Sequence, residues 1–539
     1  MQEREPKPEP RPTRGRRPRP VAAPPRLLAA IDVGSDAIRM AISELVSGSP
    51  DLRHVEHLSV PISIGADTFQ TGRISSATTR KVGQTLKDFR AVLDTYQVPA
   101  ARAVTTTAVR DAANRDVFID RVERISGIRL EVIEAIEETR LLYQYIDHSI
   151  GARFGFRRGV CMVLSLGAGS TEIIIQRDGL IVFAETRQMG TLRLVQTTRV
   201  PQPSLTSALE AFLGKVSRSI TRIHDLPPVG HLIVLSDPLP KLLARAGRTE
   251  TDLGAMVIAR GEFLRLFHAL EHESPDDLAE RYGLSHAEAE RGRVALLELN
   301  AFLDITRARR VAFPEASMLD GMILDARSAT EAAARTGEPP LWRQIDSAAC
   351  ALGQKYRFDE HHSRQVQALA LQLFDGLTEV CGLDPASRLY LSVAALLHDI
   401  GTFVSDKAHH RHAAYLISAS EIIGLSQAEL DEIALIARFH RKAFPGPGSP
   451  ELAALPPARR VEVTKLAALL RLADALDRDH MQRVERVRIE AQEDVVVLYA
   501  RSRHAARESF TVNEYAVRSK SDLFAETFGL RIEVREELG

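Results

Sequence analysis

Leu27-Leu28-Ala29-Ala30-Ile31-Asp32-Val33-Gly34-Ser35-Asp36-Ala37-Ile38-Arg39 and Val163-Leu164-Ser165-Leu166-Gly167-Ala168-Gly169-Ser170-Thr171-Glu172 are two versions of one phrase. Each reads as an apolar strand, a tight glycine turn and a second strand, which Ile173-Ile174-Ile175 continues in the second copy. Successive backbone N–H groups in such a turn form a concave set of donors suited to phosphate oxygens. Glycine there permits positive φ and lets backbone approach a ligand closely. The first strand ends in an acid, Asp32, where the matching position of the second is Ser165.

Outward from the first loop the chain alternates strands and helices. Ile31–Val33, Arg39–Glu44, Ala103–Thr107 and Leu130–Ile133 are predicted strands, and Ser75–Tyr96, Phe118–Ser126 and Ile136–Ser149 predicted helices. The alternation restarts at Gly159, which points to an internal duplication with one loop per α/β lobe. Gly337-Glu338-Pro339-Pro340 breaks the pattern and suits a linker. Beyond it the chain is almost wholly helical: Gln344–Tyr356, His362–Val380, Ser387–Leu397, Ala413–Ser418, Gln427–His440 and Arg459–Leu476. Strand-like runs return at Arg486–Glu490 and Asp494–Tyr499, with an apolar pair at Leu523-Phe524. The expected domains are a tail at 1–26, lobes at 27–155 and 156–335, an all-α domain at 341–482, and an α+β cap at 483–539.

Composition bounds the function classes. The 539 residues are 45% hydrophobic and 26% charged, as in an ordinary soluble globular protein, and suffice for several domains. With 70 basic and 71 acidic residues the net charge is −1, so any attraction for a polyanion is local and no specific nucleic-acid partner is expected. Cys161, Cys350 and Cys381 lie in apolar surroundings and fit a reducing compartment. No apolar run approaches the ~20 residues of a membrane span. The expectation is a soluble, cytoplasmic protein without a membrane partner. Residues 1–26 are mostly Pro, Arg and Glu, lack the apolar core of a signal peptide, and read as a disordered tail.

Two further polar groups accompany the loops. Thr105-Thr106-Thr107-Ala108-Val109-Arg110 places hydroxyls at a strand end and a guanidinium beside them. That is either a phosphate site or β-forming threonines with a surface arginine. Glu137-Glu138 opens a helix, as dipole complements or as a base for water.

Asp32-Val-Gly-Ser-Asp-Ala-Ile-Arg39, Thr106-Thr-Ala-Val-Arg-Asp-Ala-Ala-Asn114, Ile136-Glu-Glu-Thr-Arg-Leu-Leu142 and Gly167-Ala-Gly-Ser-Thr-Glu172 together resemble, in order, the motifs of the exopolyphosphatase/guanosine pentaphosphate phosphatase (Ppx/GppA) family. The resemblance implies two actin/sugar-kinase-like lobes around a cleft that releases terminal phosphate from polyphosphate or guanosine pentaphosphate. It implies Glu138 as the base, and Gly34, Ser35, Arg110, Gly167, Gly169, Ser170 and Thr171 as phosphate ligands. Asp32 and Glu172 would serve Mg²⁺, with Mn²⁺ as the alternative ion, and the chain would be a homodimer. Several places depart from the family pattern, Ala37 and the reduced Gly-rich segment Phe313–Gly321 among them. Ser165 replaces the acid that usually serves the magnesium, Ala168 replaces a glycine, and Asp36 adds an acid to the first loop. Leu235-Ser236-Asp237-Pro238 replaces a Gly-Thr turn.

The helical segment carries His362, His398-Asp399 and Asp474, the ligand order of HD-type metal phosphohydrolases, and resembles the HD-like domain of long family members. These side chains would hold a divalent metal, or His398-Asp399 is a buried hydrogen-bonded pair. If they do hold one, this domain is an alternative phosphohydrolase site; a third alternative is a polyphosphate- or alarmone-binding regulator with weakened catalysis. Lys407, His409, His410, Arg411, His412, Arg438, His440, Arg441 and Lys442 read as a basic edge for a polyanion.

Overall fold

The computed structural model describes residues 26–537, except 46–51, 99–100, 152–157, 198–228, 248, 253–254, 307, 316, 333–339, 442–443, 447–448 and 503–509. Residues 1–25 of the expected tail, most of the linker and Lys442 therefore lie outside the described residues. Arg26, read as tail, opens the first strand.

β1 (Arg26–Val33) and β2 (Ala37–Leu45) form the first hairpin, with Asp32 opposite Arg39. With β3 (Leu52–Pro61), β4 (Ala101–Thr105) and β5 (Glu131–Val132) they make a sheet of order β3-β2-β1-β4-β5. β6 (Val160–Leu166) and β7 (Thr171–Arg177) form the second hairpin, with Ser165 opposite Glu172. β8 (Leu180–Arg187), β9 (His231–Leu235), β10 (Glu250–Asp252), β11 (Ala255–Ala259) and β12 (Arg310–Pro314) complete the order β10-β11-β12-β9-β6-β7-β8.

Within that larger sheet, β8-β7-β6-β9-β12 repeats the first sheet strand for strand: antiparallel across the first two pairings, parallel across the last two. Even the register irregularity recurs, between Ile42 and Ser43 in β2 and between Ile175 and Gln176 in β7. The duplication read from the loops is thus a duplication of topology.

Every residue of β6 is buried, as expected of a central strand covered on both faces. Met162, Leu164 and Leu166 enter one apolar cluster while Cys161 and Val163 face another. The second cluster includes Ile136, Tyr143 and Ile146 of the helix Ala135–Ser149. Leu141 of the same helix packs instead with Ala30, Ala41 and Val104 of the first sheet. One helix is therefore clamped by both sheets, and burial of each large side chain contributes roughly 1.5–3 kcal/mol. Helix Met318–Ala332 lies against it so closely that a Cβ on Gly321 would stand 2.2 Å from the Leu141 carbonyl oxygen.

The six helices read beyond the linker are present, with ends shifted by a few residues. The fourth starts at His409, not Ala413, which puts the histidine run inside it. Helix Pro457–Leu476 is buried continuously from Leu466 to Leu476 and forms the axis of this domain. β13 (Val484–Ala491), β14 (Val495–Ser502) and β15 (Arg531–Glu536) form a small sheet, with helices Phe510–Lys520 and Asp522–Phe528 between the last two strands. Val484, Val487, Val496, Leu498, Leu523 and Phe524 join the apolar cluster of the helices, so cap and helical domain share one core. The three cysteines are buried and free. Among the described residues no helix is long and apolar enough to cross a membrane.

Candidate active site between the lobes and a histidine-aspartate cluster

The first hairpin presents an acid without a hydrogen-bond partner on one oxygen. Asp32 is buried, its Oδ1 meets no donor, and its Oδ2 stands 3.5 Å from Arg39 Nη1. Burial is the main cause that pushes its carboxyl up to about 6; Arg39 works against it, and Asp36 and Asp237 reinforce it. Asp36, the extra acid of this loop, is not left facing a phosphate. Arg39 Nη2 lies 3.4 Å and Arg291 Nη1 2.5 Å from its carboxylate, and these charges overcome its burial to hold it below the usual range. Arg39 Nη2 also donates to Asp237 Oδ2 at 2.9 Å, so the Ser236-Asp237 turn of the second lobe ties back to the first loop.

The second loop reaches across to the first lobe. None of Gly34, Gly167 and Gly169 adopts a positive φ; what the second loop needs is room. A Cβ on Gly169 would come within 2.8 Å of Thr107 Cβ, and one on Gly190 within 2.3 Å of the Ser170 nitrogen. Ala168 also avoids positive φ, which is why it can stand in a loop of glycines. Thr191 N–H donates to Gly167 O at 2.9 Å, Leu192 N–H to Ala168 O at 3.0 Å, and Arg193 Nε to Gly169 O at 2.9 Å. With the carbonyls held, the N–H groups of Ala168, Gly169 and Ser170 donate to no other group among the described residues. A donor nest of this kind suits an anion.

Side chains complete the loop. Ser170 donates to Glu172 and approaches Thr107 Oγ1 at 3.4 Å. Burial raises the Glu172 carboxyl, while hydrogen bonds from Ser170 and Ser165 pull it down. Ser165 stands directly opposite this acid across the hairpin. Thr171 is turned the other way: its hydroxyl donates to Met189 O at 3.2 Å and meets Glu298 Oε1 at 3.5 Å. Alternation along β7 puts it on the face opposite Glu172.

The two adjacent acids of the clamped helix part company. Glu137 binds Arg140 through both oxygens, at 2.6 and 2.8 Å, and Arg140 also holds Asp325 of the Gly321 helix at 2.9 Å. Glu138 Oε2 is buried without a partner. Burial is the main cause that raises its carboxyl well above the usual range, followed by the charges of Glu172 and Asp32, against Arg110 and Arg39. Arg110 is fixed by Ile133 O at 2.9 Å and Thr107 Oγ1 at 3.2 Å. A further acid, Glu298, sits beneath the second loop; burial raises it strongly and the nearby charge of Glu172 adds to the shift. Its position inside the long buried helix His286–Thr306 offers no sequence cue.

The cleft thus gathers acids, loop N–H donors and a fixed arginine. Unpartnered oxygens on Asp32, Glu138 and Glu172 are hard donors that fit a small divalent cation.

The helical domain brings His362, His398, Asp399 and Asp474 together. His362 Nε2 is 3.9 Å from Asp399 Oδ2 and 3.8 Å from Asp474 Oδ1; His398 Nε2 is 3.6 and 4.0 Å from the same atoms. Two residues read as basic edge belong here instead. His409 and His440 are buried, with Nε2 atoms 3.2 and 3.7 Å from Asp399 Oδ1. Burial, then the charge of His398, lowers the His440 imidazole to about 3. Lys520 of the cap pairs with Asp474 and, against burial, keeps it ionised. Arg438 is paired with Glu451 at 2.9 Å, which leaves a broken edge in place of a continuous basic one.

Known proteins share this plan. The Ppx/GppA phosphatase family matches residues 41–232, and domain III of the Ppx/GppA phosphatase matches residues 346–514. A guanosine-5'-triphosphate,3'-diphosphate pyrophosphatase of Aliivibrio fischeri (strain MJ11) is 25% identical over 466 residues, covering 83% of this chain and 87% of the relative. Its counterpart from Photobacterium profundum is 24% identical over 470 residues, covering 85% and 88%. The crystal structure of an exopolyphosphatase from Cytophaga hutchinsonii superposes with a TM-score of 0.50 at 20% identity, over 56% of this chain and 98% of that one. With both matches falling on the lobes and the helical domain in the order of the motifs, the chain belongs to the Ppx/GppA phosphatase family.

Proposed function

We propose that the cleft between the lobes hydrolyses a terminal phosphoanhydride, releasing orthophosphate from inorganic polyphosphate or from guanosine pentaphosphate. One observation carries this reading: the buried, unpartnered carboxylate oxygen of Glu138, on a helix clamped by both sheets, among Asp32, Glu172 and Arg110. Ionised, Glu138 accepts the proton of the attacking water. Arg110, already oriented by Ile133 and Thr107, offers its remaining donor capacity to a phosphate oxygen. The free N–H groups of the second loop, with Ser35 of the first, cradle the chain of phosphates; the Gly34 N–H already donates to Ala37 O at 3.0 Å. Asp32 and Glu172 would hold Mg²⁺, or Mn²⁺ in its place, which when bound offsets the charge of the transferring phosphoryl group. The hydroxyl of Ser165 weakens that ion's hold relative to a carboxylate.

The names of the two matched relatives favour the nucleotide, and the family's favour phosphatase chemistry. The test is orthophosphate release by the purified chain with Mg²⁺ from each substrate separately. Release from at least one is expected. Tight binding of both with no release would overturn the reading in favour of a regulator.

A second reading concerns the helical domain, where His362, His398, Asp399 and Asp474 would hold one divalent cation. It is supported by the buried, unpartnered Nε2 atoms of His362 and His398.

A further inference from the structure

We infer that the cavity between the second lobe and the helical domain binds a purine mononucleotide. The site stands apart from the cleft, and the inference does not depend on what the cleft hydrolyses.

One helix builds the seam. Gln344 of helix Pro340–Lys355 donates to Gly179 O at 2.8 Å and accepts from Ile181 N–H at 3.1 Å, and Ser347 donates to Ile181 O at 3.1 Å. These side chains satisfy the outer edge of β8, the last strand of the seven-stranded sheet. Beside them lies a cavity of about 520 Å³, closed by β8 and by three helices of the helical domain. Sites for small ligands run from ~300 to ~1,000 Å³ and combine an apolar wall with a few placed polar groups. β7 runs from Thr171 at the second loop to Arg177 at this cavity, so at ~3.3 Å per residue the two sites are about 20 Å apart.

The charge of the wall selects an anion. Its charged side chains are Arg177, Arg343, Arg364 and Asp346, three guanidiniums against one carboxylate. Asp346 is already engaged: Arg364 Nη1 stands 2.8 Å from both of its oxygens, and Gln367 Nε2 donates to it at 2.8 Å. Glu360, just beyond the wall, accepts from Gln354 at 3.2 Å and from the Cys350 thiol at 3.4 Å. Burial pushes that thiol up to about 11, so Cys350 adds no negative charge at neutral pH. Arg343 is exposed, and its guanidinium makes no hydrogen bond or ion pair among the described residues. A planar guanidinium fork matches the oxygens of a phosphate.

The rest of the wall selects a flat ring. Trp342 is the single tryptophan of the chain; its ring lines the cavity, with the Arg388 guanidinium 5.8 Å from its centre. Its indole N–H donates to no group among the described residues. Leu180, Val182, Leu371 and Leu389 extend the apolar surface beside it. A base stacks on such a surface, and the indole N–H is a donor for a ring nitrogen or carbonyl. Ser392 Oγ accepts from Gln367 Nε2 at 2.9 Å and keeps its own proton to give a sugar hydroxyl. Stacking wall, sugar-sized polar patch and arginines in one cavity match base, ribose and phosphate in one ligand.

Trp342 reports on its own site. AMP and GMP are titrated separately into the full chain, with indole emission and equilibrium dialysis followed together. Saturable quenching with one nucleotide per chain is expected, and adenosine or ribose 5-phosphate should bind at least about tenfold more weakly. Arg343→Gln, at an exposed side chain, should weaken AMP at least about tenfold with the melting temperature kept. Ala351→Leu, which fills the cavity, should abolish the quenching; Arg343→Gln decides the matter if that variant unfolds. No saturable binding of AMP, or binding that Arg343→Gln leaves unchanged, would overturn the site. Ribose 5-phosphate or benzoate binding as tightly as AMP would overturn the mononucleotide. Phosphate release is not the readout, so the reading of the cleft stands or falls separately.

Discussion

The cleft and the histidine-aspartate cluster both converge acids from distant elements, but they settle the charge in opposite ways. In the cleft, Asp32, Glu138, Glu172 and Glu298 outnumber their cationic neighbours, and burial pushes their carboxyls up. In the cluster, Asp474 has Lys520, and Asp399 stands among imidazoles. An acid whose carboxyl is raised by its surroundings is poised for proton transfer; an acid faced by a lysine or by imidazole nitrogens is poised to bind. The contrast lies within one chain and is open to single substitutions.

The largest expected effect on stability comes from neutralising the paired acid. Asp474→Asn leaves Lys520 half-buried and unpaired and should cost about 3 kcal/mol in denaturant unfolding. Asp32→Asn, which removes a charge that burial opposes, should leave stability unchanged or higher. Equal losses in the two variants would erase the distinction.

Gly169→Ala comes next. Its methyl would press on Thr107 Cβ at 2.8 Å, and such overpacking costs about 1–3 kcal/mol. Gly261→Ala, where nothing lies within 4 Å, should instead be neutral or slightly stabilising. The same pair of variants should separate in phosphate release, since only the first disturbs the cradle.

Ser165→Asp is expected to lower the Mg²⁺ concentration for half-maximal phosphate release several-fold. No change would mean that Glu172 and Asp32 already satisfy the ion.

Glu298→Gln gives the smallest effect and has a sign fixed by linkage. The folded state raises the Glu298 pKa, so its contribution is fully present below about 4.5, the free carboxyl's value, and is lost as pH rises toward the folded value. The glutamine escapes that loss. The melting temperature of the variant should match or trail wild type near pH 4 and exceed it by a few degrees at pH 8. A difference that shrinks with rising pH would contradict a buried acid whose carboxyl is raised by folding.

What the sequence made legible follows from local pattern. The two loops announce themselves through strand, glycine and strand, and the ungapped match of Asp32–Arg39 to Ser165–Glu172 foretells the repeated sheet order. Glu138 and the candidates His362, His398, Asp399 and Asp474 stand out by motif, and the fold gathers the last four into one cluster. What stayed hidden depends on partners far along the chain. Arg291 neutralises Asp36 from 255 positions away, a pairing without local signature. His409 and His440 look like members of a basic run because charge is visible in sequence and burial is not. Their Nδ1 atoms lie 3.1 and 2.6 Å from carbonyl oxygens three residues back, a placement that emerges only once the helix ends are set. Gly190 and Gly321 matter through the backbone pressed against them, and Glu298 through the loop above it.

The most direct test of the account compares two adjacent residues. Orthophosphate release and thermal unfolding are measured for Glu138→Gln and Glu137→Gln beside wild type. The account predicts that Glu138→Gln loses at least about a hundredfold in rate with its melting temperature kept, as befits a general base. Glu137→Gln, which breaks the contacts with Arg140, should lose stability while its rate stays within a few-fold. Full activity in Glu138→Gln, or the greater loss of rate in Glu137→Gln, would contradict the assignment of the base and of the cleft as the site of hydrolysis.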